Sequence, residues 1–222
     1  MNFLAHIYLS GENELITIGN FFADGIRGKK YKQYPSEIQV GIKLHREIDT
    51  FTDAHPIFRQ STKRLHKAYS HYSGVIVDIF YDHYLAKNWR DYSNIPLEEY
   101  IQNFYKTLNE NFEILPERFK KLTPFMIEDN WLLSYATIEG IQKVLNGMNR
   151  RTNGLSKMNE ATKELVANYE DFENEGQFIT ASFEAGTYGR PSIYDEAYTE
   201  YEHADILTLL ATEEWTSEET PE

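Results

Sequence analysis

The sequence predicts an all-α fold, a helical bundle, on three observations. Apolar residues recur at spacings of three and four along most of the chain. Alternating runs of the strand type are scarce. Pro35, Pro96, Pro116 and Pro124 fall near the starts of periodic segments or between them, where a helix tolerates proline. With 222 residues, 41% of them hydrophobic and 14% aromatic, the chain is long and apolar enough for one domain with a substantial core.

The first clear helix covers 14–26 and stops near Gly25 and Gly28. The next runs from Ser36 to about Thr52, where Ser36 and Gln39 fit a capping box. Further helices are expected over 57–71, 74–90, 97–113 and 125–147, followed by a loop in NGMNRRTNG. A helix over 159–172 and a shorter one over 175–183 complete the body. EAGTYGRPS then reads as a linker. The expected organisation is a helical domain over 1–184 and an acidic C-terminal extension over 185–222.

Charge supports that division. Residues 170–222 hold 15 Asp/Glu and a single basic residue, Arg190, so the net charge of -13 resides in the C-terminal part and the rest of the chain is close to neutral. The stretch from Arg27 to Lys67 is locally basic, with ten Lys/Arg against four acids, a pattern suited to an acidic partner. No run approaches the roughly 20 apolar residues of a membrane span. MNFLAHIYLS lacks a basic leader and interrupts its short apolar run with His6. The expectation is a cytoplasmic protein with neither a membrane nor a nucleic-acid partner.

Cysteine is absent, which excludes disulfides and thiolate chemistry, so any metal must sit on His, Asp and Glu. At ~100° per residue, Val75, Ile79, Leu85, Ala86 and Trp89 share an arc with Asp78 and Asp82, while Ile76, Phe80 and Tyr84 face the other way. That pattern predicts a central helix carrying two inward carboxylates. In 36–52, Ile38, Gly41, Ile42 and Ile48 share an arc with His45 and Asp49, four residues apart. Asn20 and Asp24 repeat the spacing in the preceding helix. An unpaired buried carboxylate is costly, so such groups need a cation, donors or a proton.

A lone buried Asp or His is more often a hydrogen-bonded core residue or helix cap than a ligand. On that ground His66, His71, His203, Asp53 and His55 read as structural. His45/Asp49 and Asp78/Asp82 read as metal-binding because two helices independently place costly groups on apolar faces. A salt-bridge network with Arg46 or Arg59 is the main rival. A cysteine-free His/Asp site suits Mn, Mg, Fe or a zinc with N/O ligands, and hydrolysis of a phosphoester is the natural chemistry. P-loop, G-x-G-x-x-G and G-x-S-x-G motifs are absent.

MNFLAHIYLS, GNFFADGIRG, GIKLHREIDTFTDAHP, GVIVDIFYDHYLAKNW and NWLLSYATIEGIQKVL occur in this order over about residues 1–183. Together they resemble the acyl carrier protein phosphodiesterase family. The resemblance implies a distorted HD-domain-like bundle, an atypical histidine-aspartate phosphohydrolase. Such enzymes use a divalent ion, typically Mn2+, to release 4'-phosphopantetheine from a serine of holo acyl carrier protein. Carried over by position, the metal ligands are Asp24, His45, Asp49 and Asp82. The implied catalytic residues are His6, Asp24 and His83, with His6 and His83 completing the sphere or moving protons. Arg46 is expected to grip the phosphate or a carrier carboxylate, and Asp78 to orient a ligand. Two other readings accord with the residues: a phosphohydrolase of nucleotides or other small phosphodiesters, and a non-catalytic helical module that binds an acidic partner.

Overall fold

The computed structural model describes residues 3–184. The acidic extension expected over 185–222, with His203, lies outside the described residues. Among the described residues the fold is all-α, without a strand. Helices α1 (Phe3–Tyr8), α2 (Glu14–Phe22), α3 (Ser36–Ala54), α4 (Pro56–Tyr69), α5 (Ser73–Lys87) and α6 (Leu97–Glu110) are followed by α7 (Glu117–Glu128), α8 (Trp131–Ser134), α9 (Ile138–Arg151), α10 (Thr162–Ala167) and α11 (Tyr169–Glu184).

Local chemistry sets several starts. Asn13 accepts the N–H groups of Leu15 and Ile16 and opens α2. His55 Nδ1 accepts from Ile57 ahead of Pro56, which occupies the first turn of α4 where no N–H is needed. Thr137 accepts from Gly140 at the head of α9. The capping box expected at Ser36 does not form. Ser36 bonds its neighbour Glu37, and Gln39 instead donates to the Tyr34 carbonyl before the helix.

The expected 125–147 helix is three helices. α7 begins earlier, at Glu117, and carries Pro124 within it. Asn130 then adopts a left-handed conformation (φ 46°), which asparagine tolerates better than most residues, and Thr137 restarts the chain as α9. α9 continues to Arg151 through the first six of the nine residues of the expected NGMNRRTNG loop, until positive φ at Asn153 and Gly154 turns the chain. Near the C-terminus the break falls at Asn168, so α11 is one continuous helix.

α5 is the central helix, packed against α1, α4, α9 and α11 and buried on all sides. α2 and α3 approach more closely than side chains allow. A Cβ on Gly41 would sit 2.1 Å from the Ile16 carbonyl oxygen, and one on Gly19 would sit 2.3 Å from that of Ile38. Only glycine permits this spacing. It sets Asn20 and the chain just beyond α2 against the face of α3 that carries His45 and Asp49.

Candidate metal centre

Four of the anticipated residues converge where α1, α2 and α3 meet. His45 Nε2 lies 3.1 Å from Asp24 Oδ1 and 3.2 Å from Asp49 Oδ2, and His6 Nε2 lies 3.3 Å from Asp49 Oδ1. The His6 and His45 rings stack at 4.0 Å between centroids, so both imidazole edges face the same space. His6, His45 and Asp49 each offer a ligand atom within 4.8 Å of the others. Asp49 is one turn after His45 on α3, which explains their convergence. Asp24 arrives from the 3-10 turn Ala23–Gly25 that ends α2.

A backbone-anchored amide sets the orientation of His45. Asn20 is fully buried, and its Nδ2 donates to the His6 carbonyl and to Ser10 Oγ. Its Oδ1 is thereby turned toward His45 Nδ1 at 3.1 Å. An acceptor there requires a proton on Nδ1, which leaves Nε2 as the variable position facing Asp24 and Asp49. This fits a divalent ion: two imidazole nitrogens and carboxylate oxygens form a hard-to-borderline donor set that could hold one, with the His45 Nε2 lone pair free to bind it.

The electrostatics express the same competition. Burial pulls the His45 pKa down, but the hydrogen bonds to Asp24 and Asp49 raise it to about 9. Burial and the neighbouring His45 lower that of His6. The bond to His45 leads the lowering at Asp24. Asp49 is held well below the ordinary carboxylate range by His45 and His6, against the opposing effect of burial. His6 and His45 are buried, whereas the Asp49 side chain is 52% exposed and that of Asp24 33%, so the cluster opens to solvent on its carboxylate side.

The mouth is a cavity of about 250 Å3, lined also by Ile48, Thr52, Asp53, His71, Gly74, Val75 and Asp78. His71 and Asp53, read from the sequence as structural, thus belong to the cavity wall. Asp53 stands four residues after Asp49 on α3, just past the end expected at Thr52, and His71 sits in the 3-10 turn Ser70–Tyr72, where helical periodicity assigns no face. Asp78 lines the cavity as well, and burial pushes its pKa up to about 6. His55 caps α4, in keeping with its structural reading.

Asp82, His83 and Arg46 are not brought into this cavity. Asp82 is completely buried and accepts the backbone N–H groups of Leu4 at 3.0 Å and Ala5 at 2.9 Å, acting as an N-terminal cap for α1 supplied by α5. These backbone donors offset only part of the cost of burying it, and burial still pushes its pKa up to about 7. His83, one residue on, diverges by ~100°. Its Nδ1 donates to the Tyr135 carbonyl and its Nε2 accepts from the Tyr169 hydroxyl, which ties α5 to α11. Arg46 donates to the carbonyls of Gly28 and Ile26 and stacks over Tyr31, bracing the loop after α2.

No helix of the described residues is long and apolar enough to cross a membrane. No solved structure matches the chain. Three curated proteins, each called acyl carrier protein phosphodiesterase, are similar to it. That of Photorhabdus laumondii is 33% identical over 174 residues, covering 78% of this chain and 88% of the relative. Those of Klebsiella pneumoniae (33%, 80% of this chain and 92% of the relative) and Escherichia coli O139:H28 (31%, 78% and 90%) align comparably. The family described as acyl carrier protein phosphodiesterase matches residues 1–181, and the chain belongs to that family.

Proposed function

We propose that this protein is a divalent-metal phosphodiesterase, with Mn2+ as its ion, that hydrolyses the phosphodiester joining 4'-phosphopantetheine to a serine of acyl carrier protein. The observation that carries the reading is the convergence of His6, His45, Asp24 and Asp49 at a cavity that bears four carboxylates and neither Lys nor Arg among its described lining residues. A phosphodiester anion would be repelled from such a cavity. A divalent ion held by these residues would reverse that field and supply Lewis-acid polarisation of the phosphoryl group.

In this proposal His6, His45 and Asp49 hold the ion and Asp24 completes the carboxylate side. Asn20 keeps the His45 lone pair directed at it. Asp82 acts indirectly, by fixing α1 and hence His6. His71 reaches the cavity from beyond α4 and is the group we assign to protonating the leaving serine oxygen. The phosphate grip expected from Arg46 is not retained, since its donors are committed to the loop carbonyls.

The direct experiment is mass analysis of holo carrier protein incubated with enzyme and Mn2+. Loss of the prosthetic group and appearance of apo carrier are expected, abolished by a chelator and by Asp49→Ala. An unchanged holo carrier at saturating metal, with turnover on a nucleotide panel instead, overturns the substrate assignment. His71→Asn is expected to lower kcat about 100-fold while leaving Mn2+ affinity unchanged.

A further inference from the structure

A second cavity, of about 690 Å3, opens between α1, α8 and α9. Its walls are apolar: Phe3, Trp131, Tyr135, Val144 and Met148. Lys143, Arg150 and Arg151 stand exposed at its rim. The acidic group in its wall is Asp129, whose carboxylate accepts from Trp131 Nε1. A smaller adjoining cavity of about 360 Å3 shares Phe3, Trp131 and Arg151 and adds the cations of Arg118 and Lys121 beside the exposed Phe125. Among the described residues none of these five cations has a carboxylate within salt-bridge distance.

Gly147 sharpens the picture. It lies within α9, where glycine costs about 1 kcal/mol relative to alanine. Gly19, Gly41 and Gly140 are required because a Cβ would collide with a neighbouring backbone. At Gly147 a Cβ would meet only the tip of Arg150, at 3.8 Å, and the position requires no positive φ. Packing therefore does not demand glycine there, and its consequence is an open cavity wall.

We propose that this cavity is a binding site for a single-chain anionic amphiphile, an alkyl or acyl chain ending in a phosphate or carboxylate. The chain lies along the aromatic and aliphatic wall, and the head group meets Arg150, Arg151 and Lys143. The volume suits one small ligand, within the roughly 300–1,000 Å3 of such sites. Its concave form selects a free monomer over a bilayer surface. The site is distinct from the metal centre and independent of the activity proposed for it, although Phe3 and His6 stand one turn apart on α1.

The test is isothermal titration of the full chain with dodecyl phosphate below its micellar concentration. Saturable one-to-one binding is expected, at least about tenfold weaker for dodecanol and for inorganic phosphate alone, since each lacks half of the recognition. Gly147→Leu, which fills the wall, and the doubly reversed Arg150→Glu/Arg151→Glu are each expected to weaken binding about tenfold or more, the first with an unchanged Tm and the second with a small loss of Tm, since its acids stand in the last turn of α9. If Gly147→Leu lowers the Tm, the charge-reversed variant decides, because its changes are confined to exposed side chains. Absence of saturable binding, wild-type affinity in the deciding variants, or binding only to anionic phospholipid vesicles overturns the proposal.

Discussion

Asp82 on α5 and Leu4 on α1 are joined by a hydrogen bond of 3.0 Å from the Leu4 N–H to the carboxylate, 78 positions apart in the chain and fully buried. With the companion bond from Ala5, it holds the first turn of a six-residue helix that would be marginal alone. That helix carries His6, so a carboxylate outside the cavity governs the placement of an imidazole that lines it.

Replacing Asp82 separates capping from ligation. Asp82→Ala leaves two N–H groups without an acceptor, that of Leu4 buried and that of Ala5 partly so, an expected loss of about 2–4 kcal/mol by denaturant unfolding. Amides of α1 are expected to lose hydrogen-exchange protection first. Mn2+ stoichiometry in the folded fraction should remain that of the wild type. A protein with normal α1 protection but no metal would instead make Asp82 a ligand.

Asn20→Ala removes the acceptor that directs His45. Metal affinity is expected to fall about 10–100-fold, as for other groups that orient a metal-binding histidine. Because the His6 carbonyl and Ser10 also lose a donor, the metal-free protein should lose about 1–3 kcal/mol. Calorimetric Mn2+ titration beside thermal unfolding in chelator reads both effects. Unaltered affinity would detach Asn20 from the centre.

The His45 pKa of about 9 makes metal-free stability depend on pH. A histidine whose folded pKa exceeds its unfolded value near 6.5 contributes stability that is complete below about pH 6.5 and lost as pH rises through about 9. The lowered Asp24 and Asp49 act in the opposite sense, their contribution present above about pH 4 and lost on acidification. Tm in chelator should therefore be highest between about pH 4 and 6.5. Saturating Mn2+ should remove the alkaline decline, since the ion takes the place of the proton, and affinity should rise with pH. A Tm profile unaffected by metal would count against the centre.

Gly41→Ala tests the closeness of α2 and α3. Its Cβ would lie 2.1 Å from the Ile16 oxygen, a backbone atom that moves only if the helices separate. Destabilisation of about 2 kcal/mol or more is expected, together with weakened Mn2+ binding, because Asn20 and Asp24 lie on one side of the contact and His45 and Asp49 on the other. Gly147→Ala, in open space, should leave the Tm unchanged or raise it.

Much of this was legible in the residues. Periodicity announced α2 to α6, the burial of α5 on every side, and the faces of His45, Asp78 and Asp82, whereas Asp49, read on the same arc as His45, stands half exposed at the mouth of the cavity. It did so because a helix places side chains at fixed angles whatever surrounds it. The five ordered motifs pointed to the family to which the chain belongs. The boundaries of α7 to α9 were not legible, since they depend on a left-handed Asn130 and on a proline accommodated inside α7.

Facing inward does not specify what is met there. Asp49 and Asp82 share a residue type and an apolar face, yet one finds two imidazole edges and the other two backbone N–H groups. The difference arises from where α1 crosses: its N-terminal N–H groups meet α5, and its His6 ring meets α3. His71 reaches the cavity from a 3-10 turn whose local sequence carries no period. Local sequence expresses the cost of burying a polar group, and the packing of distant helices determines which partner relieves it.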